Sequence, residues 1–233
     1  MKSNFLVYPK YMSYSSNVSQ NGVCLHIGCG LHAASGWENI DASPSLRISK
    51  IYIVGRFLLS LSHGPNWSKT VQYGDVVKGI RNKENRCQLI FAAHVLEHLT
   101  LTDFHIALTN IYSYLEPGGT FRFIVPDLKQ YVDTYIKHYS DPALSIKASE
   151  EFMAGSLLGS IGSRKSLYHR LREALSNSKH QWMWDEASLL NTLTKHGFKS
   201  VRMCQYDDWS DSRFSMVETK DKYGYAIGIE AIK

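Results

Sequence analysis

The feature that most constrains this chain is an apolar run, Val23-Cys-Leu-His-Ile27, that ends in Gly28-Cys29-Gly30. Glycine lets a main chain turn tightly and approach a ligand closely, and the carboxyl end of a strand is where open α/β sheets bind small molecules. A Gly-x-Gly after a strand also serves as an ordinary tight turn, so this run alone leaves both readings open. From Gly22 onward short apolar runs alternate with helical patterns, the signature of a parallel sheet covered by helices. Strands are predicted over 23–27, 38–41, 70–73, 89–93, 120–125, 200–206 and 225–232, which makes seven. A helix is predicted over 102–115, with Thr102 as N-cap and Phe104, Ile106, Leu108, Ile111, Tyr112 and Leu115 on its apolar face. Glu116-Pro117-Gly118-Gly119 is its stop signal.

Bulk properties narrow the classes. At 233 residues and 44% apolar content the chain can build one sizeable core, so 1–233 is expected to be a single domain. No apolar run approaches the roughly 18 residues that cross a bilayer, and the longest, 51–61, carries Arg56 in its middle. The N-terminus lacks the ~7–15-residue apolar stretch of a secretion signal, so a cytoplasmic protein with no transmembrane segment is expected. Cys24, Cys29, Cys87 and Cys204 form no CxxC pair, which argues against a zinc ribbon or a disulfide framework. The net charge of +5 reads as solubility rather than as a nucleic-acid footprint. The basic run 164–172 has leucines at helical spacing, as a solvated face over a buried stripe would. Two segments, 46–69 and 140–179, break the alternation and are expected to be insertions that cover the site.

The residues after the glycine turn restrict the ligand. A dinucleotide site wants GxGxxG opening a long helix whose N-terminus meets pyrophosphate, with an acid ~20 residues on. Here Gly30 is followed by LHAASGWENID, and Asp41 comes too soon for a full helix and a return strand. The phosphate-binding helix is therefore shortened or missing, which suits a sulfonium cofactor free of phosphate better than NAD. The GxxxxGK[ST] phosphate loop is absent as well.

Taken in order, IGCG, GWENID, HVLEHL and LEPGGTFRFIVPDL, then NSKHQWMWDEASLL, HGFKSV and the ending GIEAIK, resemble a bacterial, type 11-like branch of the class I S-adenosylmethionine-dependent methyltransferases. The resemblance covers most of the chain from Gly22. It implies a Rossmann-like three-layer α/β sandwich with a mostly parallel seven-stranded sheet whose last strand is antiparallel, and it implies S-adenosyl-L-methionine as cofactor. Gly28, Cys29 and Gly30 match the first glycine-rich loop, which faces the methionine part of the cofactor. Asp41, at the end of the second strand, matches the acid that accepts the ribose hydroxyls, although a turn residue before Ser43-Pro44 is its plain alternative. Asp75 matches the acid that receives the adenine amino group, with Val76 beside the ring. Ala92, Ala93 and His94 match the segment lining the methionine side. The chain departs from many relatives at His26, where they carry Asp or Glu, so recognition of the cofactor's ammonium group shifts elsewhere.

His94-Val-Leu-Glu97-His98 invites a zinc reading, because HxxEH on a helix sets both histidines on one face with a Glu between. No third ligand is signalled. A related ExxEH binds a divalent ion in some ubiquinone-type and small-RNA 2′-O-methyltransferases, but His94 replaces its first Glu. No metal is expected, and Glu97 and His98 are read as capping the neighbouring loop. For an oxygen acceptor the candidate general bases are His180, which sits between aromatic neighbours in SKHQWMWDE, and His94. The expected activity is methyl transfer to oxygen on a small-molecule, saccharide or lipid-linked acceptor. RNA methylation and a non-catalytic cofactor-binding scaffold are the alternatives, and no nucleic-acid-binding module is evident.

Overall fold

A computed structural model of the protein describes residues 22–51, 65–159 and 179–233. The basic run 164–172 and much of both predicted insertions lie outside the described residues. Strands β1 (Val23–Ile27), β2 (Glu38–Asp41), β3 (Gln72–Tyr73), β4 (Cys87–Ala93), β5 (Leu115–Pro126), β6 (Lys199–Cys204) and β7 (Ala226–Ile232) form one sheet in the order β3-β2-β1-β4-β5-β7-β6. Strands β1 to β5 pair in parallel, while β7 runs antiparallel to both β5 and β6. The expected fold class is the observed one, with the last strand reversed.

The chain lays β2 and β3 to one side of β1 and then crosses to set β4 on the other. That reversal creates a crevice at the carboxyl ends of β1 and β4. Burial explains why these strands sit centrally: every residue of β4 is buried, as a near-continuous apolar run covered on both faces must be.

Among the described residues the helices are α1 (Pro44–Ser49), α2 (Leu101–Tyr114), α3 (Leu128–Ser140), α4 (Ser145–Gly155) and α5 (Glu186–Lys195). Helix α2 buries Phe104, Ala107, Leu108, Ile111 and Tyr114, a stripe at helical spacing. That stripe packs with Leu189 and Leu193 of α5 against Leu25, Ile27 and Ile90 on one face of the sheet. The opposite face is covered by Trp37, Phe214 and Val217, which close over Cys24 and Phe91. Each such side chain contributes about 1.5–3 kcal/mol when fully buried.

Three local expectations are corrected. Helix α2 is capped by Thr100, whose hydroxyl accepts from Asp103 N at 3.1 Å, so Thr102 lies inside the first turn. Strand β5 starts at Leu115 and runs through the Pro-Gly-Gly that was expected only to end the helix. Pairing with the chain's last residue explains this: Gly118 N donates to Lys233 O and Lys233 N donates to Gly119 O. The third strand is also shorter than expected, covering 72–73 rather than 70–73.

Candidate functional site

A cavity of about 660 Å³ opens at the carboxyl ends of the first strands, within the ~300–1,000 Å³ typical of small-molecule sites. Of the residues singled out in the sequence, Gly28, Asp41, Asp75, Val76 and His94 line it. Cys29, Gly30, Ala92, Ala93 and His180 are not on its wall.

The glycine turn is shaped first by the protein itself. Gly28 has φ +65°, and a Cβ placed there would come within 2.2 Å of Val95 Cγ2. Any larger residue would therefore push the turn after β4 away from the end of β1. Cys29 N donates to Ile40 O, which ties the turn to β2, and burial pushes the Cys29 thiol up to about 12, with the Asp41 carboxylate adding to the effect. Gly30 N donates to Asp41 Oδ2 at 3.0 Å, and Ser43 N donates to Asp41 Oδ1 at 2.7 Å. The carboxylate is thus held in one orientation by two backbone donors. An ionised carboxylate has about four acceptor positions, so each oxygen retains capacity for a further hydroxyl.

No helix follows the turn, as the sequence spacing foretold. Asn39 holds this loop instead, a residue the sequence reading passed over. Its Oδ1 accepts from Ala34 N, while its Nδ2 donates to the carbonyls of Ala34 and Trp37. Strand β2 reads Glu-Asn-Ile-Asp, so polarity alone carried no signal that set Asn39 apart from its neighbours. The His26 ring lies 3.3 Å from the same Asn39 oxygen and packs edge-on to Trp37. Burial lowers His26 to about 4, so it sits in the core as a neutral imidazole and does not line the cavity.

Next to Asp41, past the end of β3, Asp75 Oδ1 accepts from Val77 N and Lys78 N, and Oδ2 pairs with the exposed Lys78 ammonium at 3.0 Å. Val76 beside it is buried and supplies an apolar surface. Arg47 of α1 stands over the Tyr73 ring at the same rim.

At the other end of the cavity, His94 takes φ +54° as the chain leaves β4. Its Nε2 lies 2.9 Å from Lys222 O and its Nδ1 3.3 Å from Glu97 Oε1. Glu97 is fully buried in a one-turn 3-10 segment, Leu96–His98. Onto this turn docks a stretch some eighty residues later in the chain: Gln181 N and Trp182 N both donate to Glu97 O, and Gln181 Nε2 donates to His98 O. The docking sets His180 Nε2 at 3.7 Å from Glu97 Oε1. The two base candidates therefore both face one oxygen, Oε1, of a buried carboxylate, with His94 on the cavity wall and His180 off it. The hydrogen bond to Glu97 raises His94 above its ordinary value, whereas burial draws His180 below its own.

Among solved structures the chain is similar to PigF in complex with SAH, at 19% identity and TM-score 0.48, covering 94% of this chain and 52% of that one. It is also similar to a SAM-dependent methyltransferase from Archaeoglobus fulgidus (14% identity, TM-score 0.42, 91% of this chain and 86% of that one). A third is Haemonchus contortus phosphoethanolamine N-methyltransferase 2 in complex with S-adenosyl-L-methionine (13%, TM-score 0.45, 91% and 48%). The chain spans about half the length of the first and third of these. No curated protein sequence matches it. The family model described as a methyltransferase domain matches residues 15–202, most of the chain. The chain therefore belongs to the methyltransferase-domain family, the S-adenosylmethionine-dependent class I methyltransferases.

Proposed function

We propose that the crevice between β1, β2 and β4 binds S-adenosylmethionine and that the chain transfers its methyl group to an oxygen of a small acceptor, such as a saccharide or a lipid-linked precursor. The observation that carries this reading is that Gly28 from the end of β1 and Asp41 from the end of β2 line one cavity. The donor set fits that cofactor. Asp41 is anchored by two backbone N–H groups with lone pairs to spare for a ribose diol, and Asp75, beyond the neighbouring end of β3, lines the same cavity to accept from an amine. Val76 gives the apolar contact a purine ring needs. Gly30, Cys29, Ala92 and Ala93 act one layer back, fixing the turn and the end of β4 against which the methionine portion would lie.

When bound, S-adenosylmethionine supplies a methyl carbon already activated by its sulfonium, and the acceptor oxygen takes that carbon as the thioether leaves. The chain's own work is orientation, since holding two reactants in line supplies much of the acceleration of such a displacement. His94, with His180 facing the same Glu97 oxygen, stands at the acceptor end to position the hydroxyl and receive its proton. The whole chain is read as one catalytic unit, 1–233, with the segments 46–69 and 140–179 shaping the acceptor side, and as a cytoplasmic protein. Among the described residues no helix is long and apolar enough to cross a membrane.

Calorimetry of the full chain with S-adenosylmethionine and its demethylated product tests the binding step, and methyl release in the presence of hydroxyl acceptors tests the reaction. Heat with both, together with turnover on an alcohol, is expected. No heat with either ligand would remove the cofactor from this crevice, and turnover confined to amines would remove the oxygen acceptor.

A further inference from the structure

We infer that Glu97, His98 and His180 form a binding site for a divalent transition-metal ion, Zn²⁺ or Mn²⁺ in class, on the acceptor wall of the crevice. The three offer one ligand atom each within 4.8 Å of one another. The sequence signalled only two of them, since His180 joins the set through the docking of its segment on the Leu96–His98 turn.

Three observations carry the site. The first is spacing: His180 Nε2 and Glu97 Oε1 lie 3.7 Å apart, too far for a hydrogen bond and close to the separation of two ligands that share an ion at about 2.0–2.2 Å. The second is Glu97 itself, whose side chain is fully buried while its Oε2 has no hydrogen-bond donor. A carboxylate placed so deep is expensive unless a cation completes it. The third is the support behind the ligands. His98 Nδ1 lies 3.0 Å from Lys179 O, so it donates there and leaves Nε2 with the free lone pair, the arrangement that orients a metal-bound imidazole. His94 Nδ1 lies 3.3 Å from the same Glu97 Oε1 and fixes the carboxylate's orientation, leaving Oε2 without a donor.

Two imidazoles and one carboxylate favour a borderline first-row ion over Mg²⁺ or Ca²⁺, which take oxygen ligands. His98 also lines the cavity, so an ion held there would face the space where an acceptor enters. Such an ion would coordinate the acceptor oxygen and favour loss of its proton to His94 before methyl transfer. That assignment gives His180 a ligand's part and leaves His94 as the imidazole in contact with the acceptor. The catalytic meaning of the site rests on the methyl-transfer reading above, whereas the binding of the ion does not.

The test is calorimetric titration of the full chain, stripped with a chelator, with Zn²⁺, Mn²⁺ and Mg²⁺. One ion per chain is expected for Zn²⁺ or Mn²⁺, with Mg²⁺ at least tenfold weaker. His98→Ala and His180→Ala should each weaken the ion at least tenfold while circular dichroism stays unchanged. His98 is the safer variant, because its ring is partly exposed. No heat with either transition metal overturns the site, as does unchanged affinity in both variants, which would move the ion to another pair such as His105 and His196. A parallel titration of the wild type with the demethylated cofactor separates the two claims. Cofactor binding without metal binding sinks only the metal site, and metal binding without cofactor binding sinks only the crevice assignment.

Discussion

Two buried polar clusters sit on the same sheet, and they are finished in opposite ways. Arg122 on β5 is wholly buried, and each of its nitrogens is spoken for. Nε and Nη2 donate to the two oxygens of Glu218, Nη1 to Glu230 and to Asp208 O, and Nη2 also to Gln205 O and the Tyr223 hydroxyl. Glu97 is as deeply buried, yet its contacts are one imidazole at 3.3 Å and another at 3.7 Å, and its second oxygen has no donor. The first cluster binds β5 to β7 and to the segment between β6 and β7. The second sits where the acceptor end of the crevice begins. A charge that the chain completes from its own residues is architecture, and one it leaves incomplete points to a ligand.

The sharpest way to break this contrast is to remove the guanidinium. Arg122→Met keeps the apolar stem but leaves Glu218 buried without its cation and Glu230 with Arg202 alone, and loss of about 3–5 kcal/mol of unfolding free energy is expected in urea titrations. A change below about 1 kcal/mol would mean that the cluster is hydrated and that the comparison has no basis.

A third buried group, His26, tests whether burial alone governs such sites. It is held near 4 by burial against an ordinary value of 6.5. Between those values the unfolded chain binds a proton that the folded chain refuses, so stability rises with pH through this window and falls as pH drops from 6.5 toward 4. The loss amounts to roughly 3 kcal/mol at the acid end. Urea midpoints across the window should show that slope in the wild type and a shallower one in His26→Gln. Parallel slopes would show that the imidazole is not shut away from water.

What the sequence disclosed and what it hid divide along a similar line. The glycine turn, Asp41 and the seven strands were legible because each depends on neighbours within a few residues: an apolar run, a positive-φ glycine, an acid at a strand end. The first cap of α2 was misplaced by two residues because Thr100 and Thr102 carry the same hydroxyl, and only the reach to Asp103 N separates them. Arg122 could be seen as a charge within TFRFIV, but Glu218 and Glu230 lie about a hundred residues on, and no local pattern pairs them. His180 was noticed for its aromatic flanks, whereas its actual partner, Glu97, is set by a docking that spacing cannot encode.

Asp41 falls between the two clusters, since its carboxylate is anchored by the chain yet open to the crevice. Asp41→Ala should weaken cofactor binding by about 1–3 kcal/mol, read by calorimetry, through loss of charge-assisted hydrogen bonds to the ribose. Unfolding free energy should move less than affinity does, because Gly30 and Ser43 can turn their N–H groups to water. Unchanged affinity would take Asp41 out of the site.

The smallest expected effect is the most discriminating. Glu97→Gln keeps the side chain's shape and its acceptor for His94 while removing the buried negative charge. In the Arg122 cluster such a neutralisation strands a cation that cannot lose its proton, but the imidazoles around Glu97 can become neutral. The metal-free variant should therefore lie within about 1 kcal/mol of the wild type, on the stable side, as expected when an uncompensated charge is replaced by a neutral group. The comparison run in Zn²⁺ should reverse, with the wild type gaining thermal stability from the ion and the variant gaining little, because an ion that binds only the folded state stabilises it by mass action. A variant that loses several kcal/mol without metal would show that Glu97 is completed by the chain after all, and the distinction between the two clusters would disappear.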